Sequence, residues 1–399
     1  MENTINIEDS KTAYAYKTNS ELKFTYFIFK ILQYPKLLKL LTSCANGILN
    51  YHLPFKFLIK NTIFKIFCAG ENIEEAFTLI KKLEKYNVKL VLDYVSEGEK
   101  SEEVFEKNTQ IIVANIIKLG KENPGNYISV KISGLEAPLF LKQINGKTFP
   151  KEIDTANRFN KLLSHVDEIC KAAKENKIIV FIDAEDRYMQ DILDKIVETM
   201  MEKYNTQSAV VFNTLQMYLK DRLTYLDSLL TQADEKKYVP GIKLVRGAYA
   251  EKEKSEALKE NREAPVYDTK EQTDAAFNKA VEICLCNHKK VDTCIASHND
   301  KSTLFAVACI HRYKIADHIK KVSFSQLYGM SDNLTFNLAM NGYNVSKYLP
   351  YGEIKKAIPY LIRRAEENSA MSKQITGELM RLNKEIWRRK LLRKETGNY

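Results

Sequence analysis

The chain reads as an α/β protein built on a closed (β/α)8 barrel of the TIM type, and three observations predict it. Eight short β-branched runs begin after residue 85. Longer stretches of helical periodicity separate them. No Gly-rich G-x-G-x-x-G turn follows the first run, which argues against a doubly wound sheet, the competing architecture. Strands buried on both faces read as near-continuous apolar runs, and their alternation with helices implies parallel pairing through right-handed crossovers.

Three segments follow from this pattern. Residues 1–85 form an N-terminal helical arm. From Phe24 to Phe67 it is dense in Phe, Leu, Ile, Tyr and Lys, with Pro35 and Pro54 as breaks, so several short helices are expected. Their first reading is packing on the main domain, and a membrane-surface role is the alternative. Residues 86–375 hold the barrel. Its runs are VKLVLDY (88–94), YISVKIS (127–133), IIVFIDAE (178–185), AVVFNTLQ (209–216), GIKLVRG (241–247), VDTCIAS (291–297), KVSFSQL (321–327) and NVSKYLP (344–350). Residues 376–399 form a C-terminal helix, with Leu379, Leu382, Ile386 and Trp387 at helical spacing among Lys384, Arg388, Arg389, Lys390 and Arg393. Such a basic amphipathic helix either docks on the barrel or lies on an anionic bilayer.

Composition bounds the class. A chain of 399 residues with 45% hydrophobic and 28% charged residues is ordinary for a globular protein. The net charge of +10 comes mainly from lysine and suits solubility, an anionic membrane surface or nucleic acid. Seven scattered cysteines suggest buried thiols in a reducing compartment. Neither a signal peptide nor a transit peptide is expected, because Glu2, Glu8 and Asp9 crowd the beginning and the first arginine is Arg158. No stretch reaches the roughly twenty uncharged residues of a membrane span. A cytoplasmic location, with peripheral contact on the inner face of the plasma membrane, is the expectation.

Barrel active sites lie at the C-terminal ends of the strands, where the loops converge. There the runs place Asp93, Lys131, Asp183 with Glu185, Gln216, Lys243 with Arg246, His298 with Asn299, Gln326 and Tyr348. Lys131 follows Val130 in a buried-looking strand, so its ammonium must meet a carboxylate or an anionic ligand. Asp183 is one expected partner. A Schiff-base nucleophile is the alternative role for such a lysine, given a depressed pKa. His298 has no second histidine at ligand spacing, so no metal site is expected.

The motifs GIKLVRGAYAEKE (241–253), SHND (297–300), FSQLYGM (324–330), GYNVSKYLPYG (342–352) and PYLIRRAEEN (359–368), with LDYVSE, VKISG and IDAE before them, are more specific together than any one alone. Over about residues 60–370 the chain closely resembles the proline dehydrogenase family. The resemblance implies a distorted (β/α)8 barrel that binds FAD and oxidises L-proline to 1-pyrroline-5-carboxylate. Electrons would pass to a membrane quinone and the product to a separate pyrroline-5-carboxylate dehydrogenase, with no nucleic-acid partner.

The resemblance also assigns residues. Arg363 and Arg364 match the pair that grips the proline carboxylate together with Lys131. Leu327, Tyr348 and Tyr360 match residues that wall the ring, and Asp183 supports the polar cluster. Glu97 matches an acid that pairs with the first arginine of the doublet, so Arg363 would serve as a latch. Gln216, Lys243, Arg246, Ala248, Ser297, His298 and Asn299 fall on flavin-contacting positions. Guanidinium forks suit carboxylates because they donate two parallel hydrogen bonds. Many bacterial relatives read R-L-V-K-G-A-Y-W where this chain reads KLVRGAYA, so Lys243 would meet the flavin as a point charge, and Ala250 replaces an aromatic.

Overall fold

The structure, a computed structural model, describes residues 5–34, 60–96, 101–146, 153–358, 360–362 and 372–395. Its strands are β1 (Val88–Tyr94), β2 (Tyr127–Val130), β3 (Ile179–Ile182), β4 (Val211–Gln216), β5 (Gly241–Val245), β6 (Asp292–Ala296), β7 (Val322–Leu327) and β8 (Asn344–Tyr351). They follow one another in chain order around a closed barrel, on the eight runs the sequence predicts. Helices α1 (Ser10–Ala13), α2 (Asn19–Leu32), α3 (Lys65–Phe67) and α4 (Ile73–Glu84) precede β1 in the chain. Between strands come α5 (Glu102–Glu122), α6 (Pro138–Ile144), α7 (Ile153–Glu175), α8 (Gln190–Tyr204) and α9 (Arg222–Lys236). Then follow α10 (Ala250–Lys259), α11 (Lys270–Cys286), α12 (Asp300–Arg312) and α13 (Asp332–Met340), with α14 (Ser372–Glu395) last.

The second predicted run is longer than its strand. β2 stops at Val130 and a 3-10 turn takes over at Ile132–Gly134. Gly134 packs so tightly that an added Cβ would stand 2.2 Å from the Ser96 carbonyl oxygen. The turn therefore requires glycine there, and Lys131 sits just past the strand rather than inside it.

The chain divides into two compact units. One comprises Val91–Ser325. Its strands run parallel, with Asp93 opposite Ser129, Val130 opposite Ile182, Phe181 opposite Phe212 and Thr214 opposite Lys243. Phe181 stacks on Tyr127 at 5.0 Å and meets Phe212 edge-on at 5.2 Å, between ring centroids. These are favourable aromatic geometries. The helices start where side chains cap them: Ser101 accepts from the Val104 amide at α5, and Thr269 with Gln272 forms a capping box at α11.

The other unit comprises residues 1–90 and 326–399. α2 opens on a capping box in which Thr18 and Glu21 satisfy each other's amides. It buries Leu22, Thr25, Ile28, Phe29 and Leu32 and packs on α14. Residues 69–70 run beside the end of β8, where the Ala69 amide donates to the Pro350 carbonyl at 2.8 Å and Gly70 bridges Tyr351. The arm and α14 are tied by buried polar bonds. Tyr14 donates to Glu378 at 3.0 Å, Ser10 to Glu385 at 3.2 Å, and Arg389 to the Tyr14 and Lys17 carbonyls at 2.8 Å each. Among the described residues no helix is long and apolar enough to cross a membrane.

Candidate active site

In the 91–325 unit, Asp93 near the end of β1, Ser129 in β2, Lys131 and Asp183 just past β2 and β3, and Lys243 in the middle of β5 form one charge cluster. Lys131 donates to Asp93 at 2.8 Å, and its Nζ lies 3.9 Å from Asp183. Asp183 is the shared centre. It accepts from Lys243 at 2.6 Å and from the Ser129 hydroxyl at 2.6 Å. The Phe181 ring lies beneath, 5.1 Å from the Lys243 ammonium, which adds a cation–π contact. The sequence reading paired Lys131 with Asp183 first. The nearer partner is Asp93, because the β1–β2 register sets Asp93 beside Ser129, two residues before Lys131.

Electrostatics hold Asp183 ionised. Burial alone would raise the Asp183 carboxyl, but the ammonium of Lys243, then that of Lys131, with hydrogen bonds from Lys243 and Ser129, outweigh it and lower it below the ordinary 3.8. Two carboxylates and two ammoniums balance. A neutral zwitterionic substrate can enter such a site without leaving an unmatched charge.

A second constellation surrounds Arg246. Its guanidinium donates to Asp274 at 2.6 Å and to the hydroxyls of Ser297 and Ser302 at 2.7 Å each, and it lies 4.3 Å over the Phe277 ring. Burial lowers its pKa, and Asp274 opposes that. Ser297 also accepts from the Asn299 amide at 3.1 Å, and Asn299 caps α12 through the Ser302 amide at 3.0 Å. Arg246, Ser297 and Asn299 therefore form one network, with half-buried His298 between the last two. Gln216 donates to the Glu185 carbonyl at 2.8 Å, and Glu185 in turn accepts from the Ser133 amide at 2.9 Å. Ala248 is exposed.

These residues fit a dinucleotide cofactor. A cation in the middle of β5, a half-buried guanidinium three residues on and the capped N-terminus of a 13-residue helix are the donors that a diphosphate and a polar ring edge require. Gly247, at φ +110°, leaves room where a Cβ would collide with the Tyr218 ring. The Tyr218 hydroxyl beside it is buried with no hydrogen-bond partner among the described residues.

In the other unit, Tyr348 and Tyr360 are buried and Leu327 is half-buried. The Tyr328 amide donates to the Tyr348 carbonyl at 2.9 Å, which ties the end of β7 to β8. A cavity of about 370 Å³ in this unit is lined by Tyr16, Lys17, Glu21, Lys60, Lys82 and Tyr328 among others. It includes none of the residues assigned by resemblance. Two of its lysines are matched by acids, Lys60 by Glu71 and Glu75, and Lys82 by Glu21. Glu97, Arg363 and Arg364 lie outside the described residues. No group of metal-ligating side chains occurs among the described residues.

The sequence places Asp93 at a strand end without naming its partner, and it gives no role to Ser129, Asp274 or Lys347. Asp93 carried a signal, since it interrupts an apolar strand at its C-terminal end. The others carried none, because their partners are set by register and by contacts between segments distant in the chain.

Comparison with known proteins follows the same line. The family model described as "Proline dehydrogenase" matches residues 76–377. A mitochondrial proline dehydrogenase 1 of Dictyostelium discoideum is 29% identical, over 97% of this chain and 75% of that protein. The carbapenem antibiotics biosynthesis protein CarD of Pectobacterium carotovorum is 31% identical, over 81% of this chain and 84% of that protein. A hydroxyproline dehydrogenase of Xenopus laevis is 28% identical over 94% of this chain and 88% of that one. Among solved structures, proline utilization A of Bdellovibrio bacteriovorus shares the fold with a TM-score of 0.71 at 21% identity; the match covers 93% of this chain but 39% of that one. With the family model spanning well over half of its length, the chain belongs to the proline dehydrogenase family, enzymes of proline oxidation and catabolism.

Proposed function

We propose that the chain oxidises L-proline to 1-pyrroline-5-carboxylate with FAD as the immediate acceptor and a membrane quinone as the final one, the first step in degrading proline to glutamate. The observation that carries the reading is the ion-paired cluster of Asp93, Lys131, Asp183 and Lys243 in the barrel of a chain of this family. When bound, FAD supplies a hydride acceptor. Lys243, Gln216 and Arg246, with Ser297, His298, Asn299 and Ala248, would hold it. Asp183 fixes the Lys243 ammonium beside it through the 2.6 Å ion pair, and a fixed cation stabilises negative charge arriving nearby.

Lys131, with Arg363 and Arg364, would grip the substrate carboxylate. Asp93 holds the lysine in place before substrate arrives. Leu327, Tyr348 and Tyr360 would wall the ring and exclude water, and Glu97 would latch Arg363 once the site is filled. A phenol at Tyr348 crowds a 4-hydroxyl group. The pyrroline product would pass to a separate dehydrogenase.

Anaerobic addition of proline to the purified yellow protein should bleach its flavin. Trans-4-hydroxyproline should bleach it with a kcat/KM at least about tenfold lower, the discrimination that one ill-fitting group in a tight pocket allows. Failure of proline to bleach the flavin would sink the assignment. Equal efficiency on both imino acids would remove Tyr348 as the selector. A Schiff-base role for Lys131 is disfavoured by its ion pair with Asp93 at 2.8 Å, which occupies the amine.

Contact with the membrane is assigned to α14. Met380, Trp387 and Leu391 are exposed on it, at helical spacing with Lys384, and Lys390 sits 5.1 Å from the Trp387 ring centroid. Aromatic and aliphatic side chains interleaved with lysine suit an anionic interface. The full chain should sediment with vesicles containing anionic lipid, and Trp387→Ala with Leu391→Ala should weaken this about tenfold, given the apolar area lost. Unchanged sedimentation would take α14 out of that role.

A further inference from the structure

We propose that Lys347 is a positioning residue for the substrate pocket, its ammonium fixing the turn after β7 so that Leu327 and Tyr348 keep their places against the proline ring. The proposal rests on the reading of Leu327 and Tyr348 given above.

Lys347 lies on β8, one residue before Tyr348, and has no exposed surface. Its Nζ donates to the Met330 carbonyl at 2.5 Å and to the Leu327 carbonyl at 3.4 Å, and pairs with Asp332 at 2.9 Å. Burying such a pair brings little net stability, because desolvation offsets the attraction. An apolar side chain of similar volume would serve a purely structural purpose as well or better. What it could not do is hold two carbonyls of one turn.

That turn is set from several sides. The Met330 amide closes it on the Leu327 carbonyl at 3.2 Å, and the Tyr328 amide reaches the Tyr348 carbonyl at 2.9 Å. Gly329, at φ +81°, passes so close to the 66–67 backbone that a Cβ would stand 2.3 Å from the Ile66 oxygen. With the turn pressed against one neighbour and threaded by an ammonium on the other side, the Leu327 side chain has little freedom. Tyr348 is held by the same strand that carries the ammonium.

Asp332 extends the device to the arm. It accepts from the Tyr16 hydroxyl at 2.8 Å and lies 3.6 Å from the Lys17 ammonium. The Tyr16 ring stacks on Phe336 of α13 at 4.4 Å. A residue near the start of the arm thus reaches the Leu327 carbonyl through Asp332 and Lys347. Displacing a pocket wall by a fraction of an ångström weakens substrate orientation without touching cofactor binding.

The test uses the FAD-loaded full chain carrying Lys347→Met or Tyr16→Phe, with FAD content, thermal melting, and steady-state kinetics on proline and trans-4-hydroxyproline. Lys347→Met should raise the proline KM about tenfold and lower the preference for proline over hydroxyproline several-fold, with FAD content unchanged, as expected of a small displacement of a positioning group. Tyr16→Phe should do the same to a smaller extent, about twofold to threefold, because it removes one bond in the relay. A merely structural role would shift melting and leave the preference between the two substrates alone. Folded variants with wild-type KM and wild-type preference would overturn the proposal. If Lys347→Met does not fold, Tyr16→Phe decides by the same two readouts. A wild-type flavin that proline does not bleach would sink the functional reading and this inference together, whereas bleaching with unaltered variants sinks this one alone.

Discussion

Replacing Asp183 with asparagine should lower kcat/KM for proline by about a hundredfold or more and destabilise the protein by about 3–5 kcal/mol, the usual consequence of breaking a buried ion pair. Asp183 faces two ammoniums, at 2.6 Å and 3.9 Å. An amide neutralises neither, so Lys243 is left buried and poorly compensated and Lys131 keeps Asp93 alone. The pH dependence gives an independent check. Asp183 is held below its ordinary 3.8, so its contribution is fully present above that value. It is lost as pH falls through the lower value of the folded state, when the native carboxylate must take up a proton. Wild type should therefore lose stability more steeply than Asp183→Asn below about pH 4. Denaturation midpoints at pH 7 and pH 3 with flavin-reduction rates at pH 7 would settle this, and an Asp183→Asn protein of unaltered rate would show that the cluster has no part in the reaction.

The opposite shift makes Glu378 the second large effect. Its carboxyl on α14 is raised from 4.5 to about 7, chiefly by burial and then by the negative charge of Asp332, with Arg381, the Tyr14 hydroxyl and Lys347 opposing. The native state therefore holds a proton that the unfolded state releases between pH 4.5 and 7. Stability attached to this group is complete below 4.5 and lost as pH rises through about 7. Glutamine keeps an acceptor for Tyr14 and carries no charge to desolvate. Glu378→Gln should thus be the more stable protein at pH 8, by up to about 3 kcal/mol from roughly 1.4 kcal/mol per tenfold change in proton affinity, and equal to wild type near pH 4.5. Melting temperatures at the two pH values measure it. A wild type that is the more stable at pH 8 would mean that Arg381 keeps the carboxylate ionised at little cost.

How much of this was legible depended on distance along the chain. The barrel could be read because each strand carries its own signal, a short β-branched run buried on both faces. Where β2 ends could not, because the stop at Val130 comes from Gly134 meeting Ser96, a contact made after folding. Lys131 is legible as a lysine too apolar in surroundings to stand unpaired, and Lys243 as a flavin position by family motif. Which acid each would meet was not, since register, not composition, set Asp93 and Asp183 beside them. Arg246, Ser297 and Asn299 were flagged by family motif, and the structure joins them through hydrogen bonds that no spacing predicts. Lys347 looked like one polar residue in a strand, and its partner's partner, Tyr16, stands 316 residues from Asp332.

The bonds between the arm and α14 join residues about as far apart in sequence as this chain allows, Tyr14 with Glu378 and Ser10 with Glu385. Topologically they turn a linear polymer into a ring whose seam is made of hydrogen bonds. During synthesis each strand from β2 to β7 leaves the ribosome with the strand before it in the barrel already available. The arm must wait for the last helix. The hydrogen bond from Tyr14 therefore forms only once Glu378, 364 residues further along, has been made.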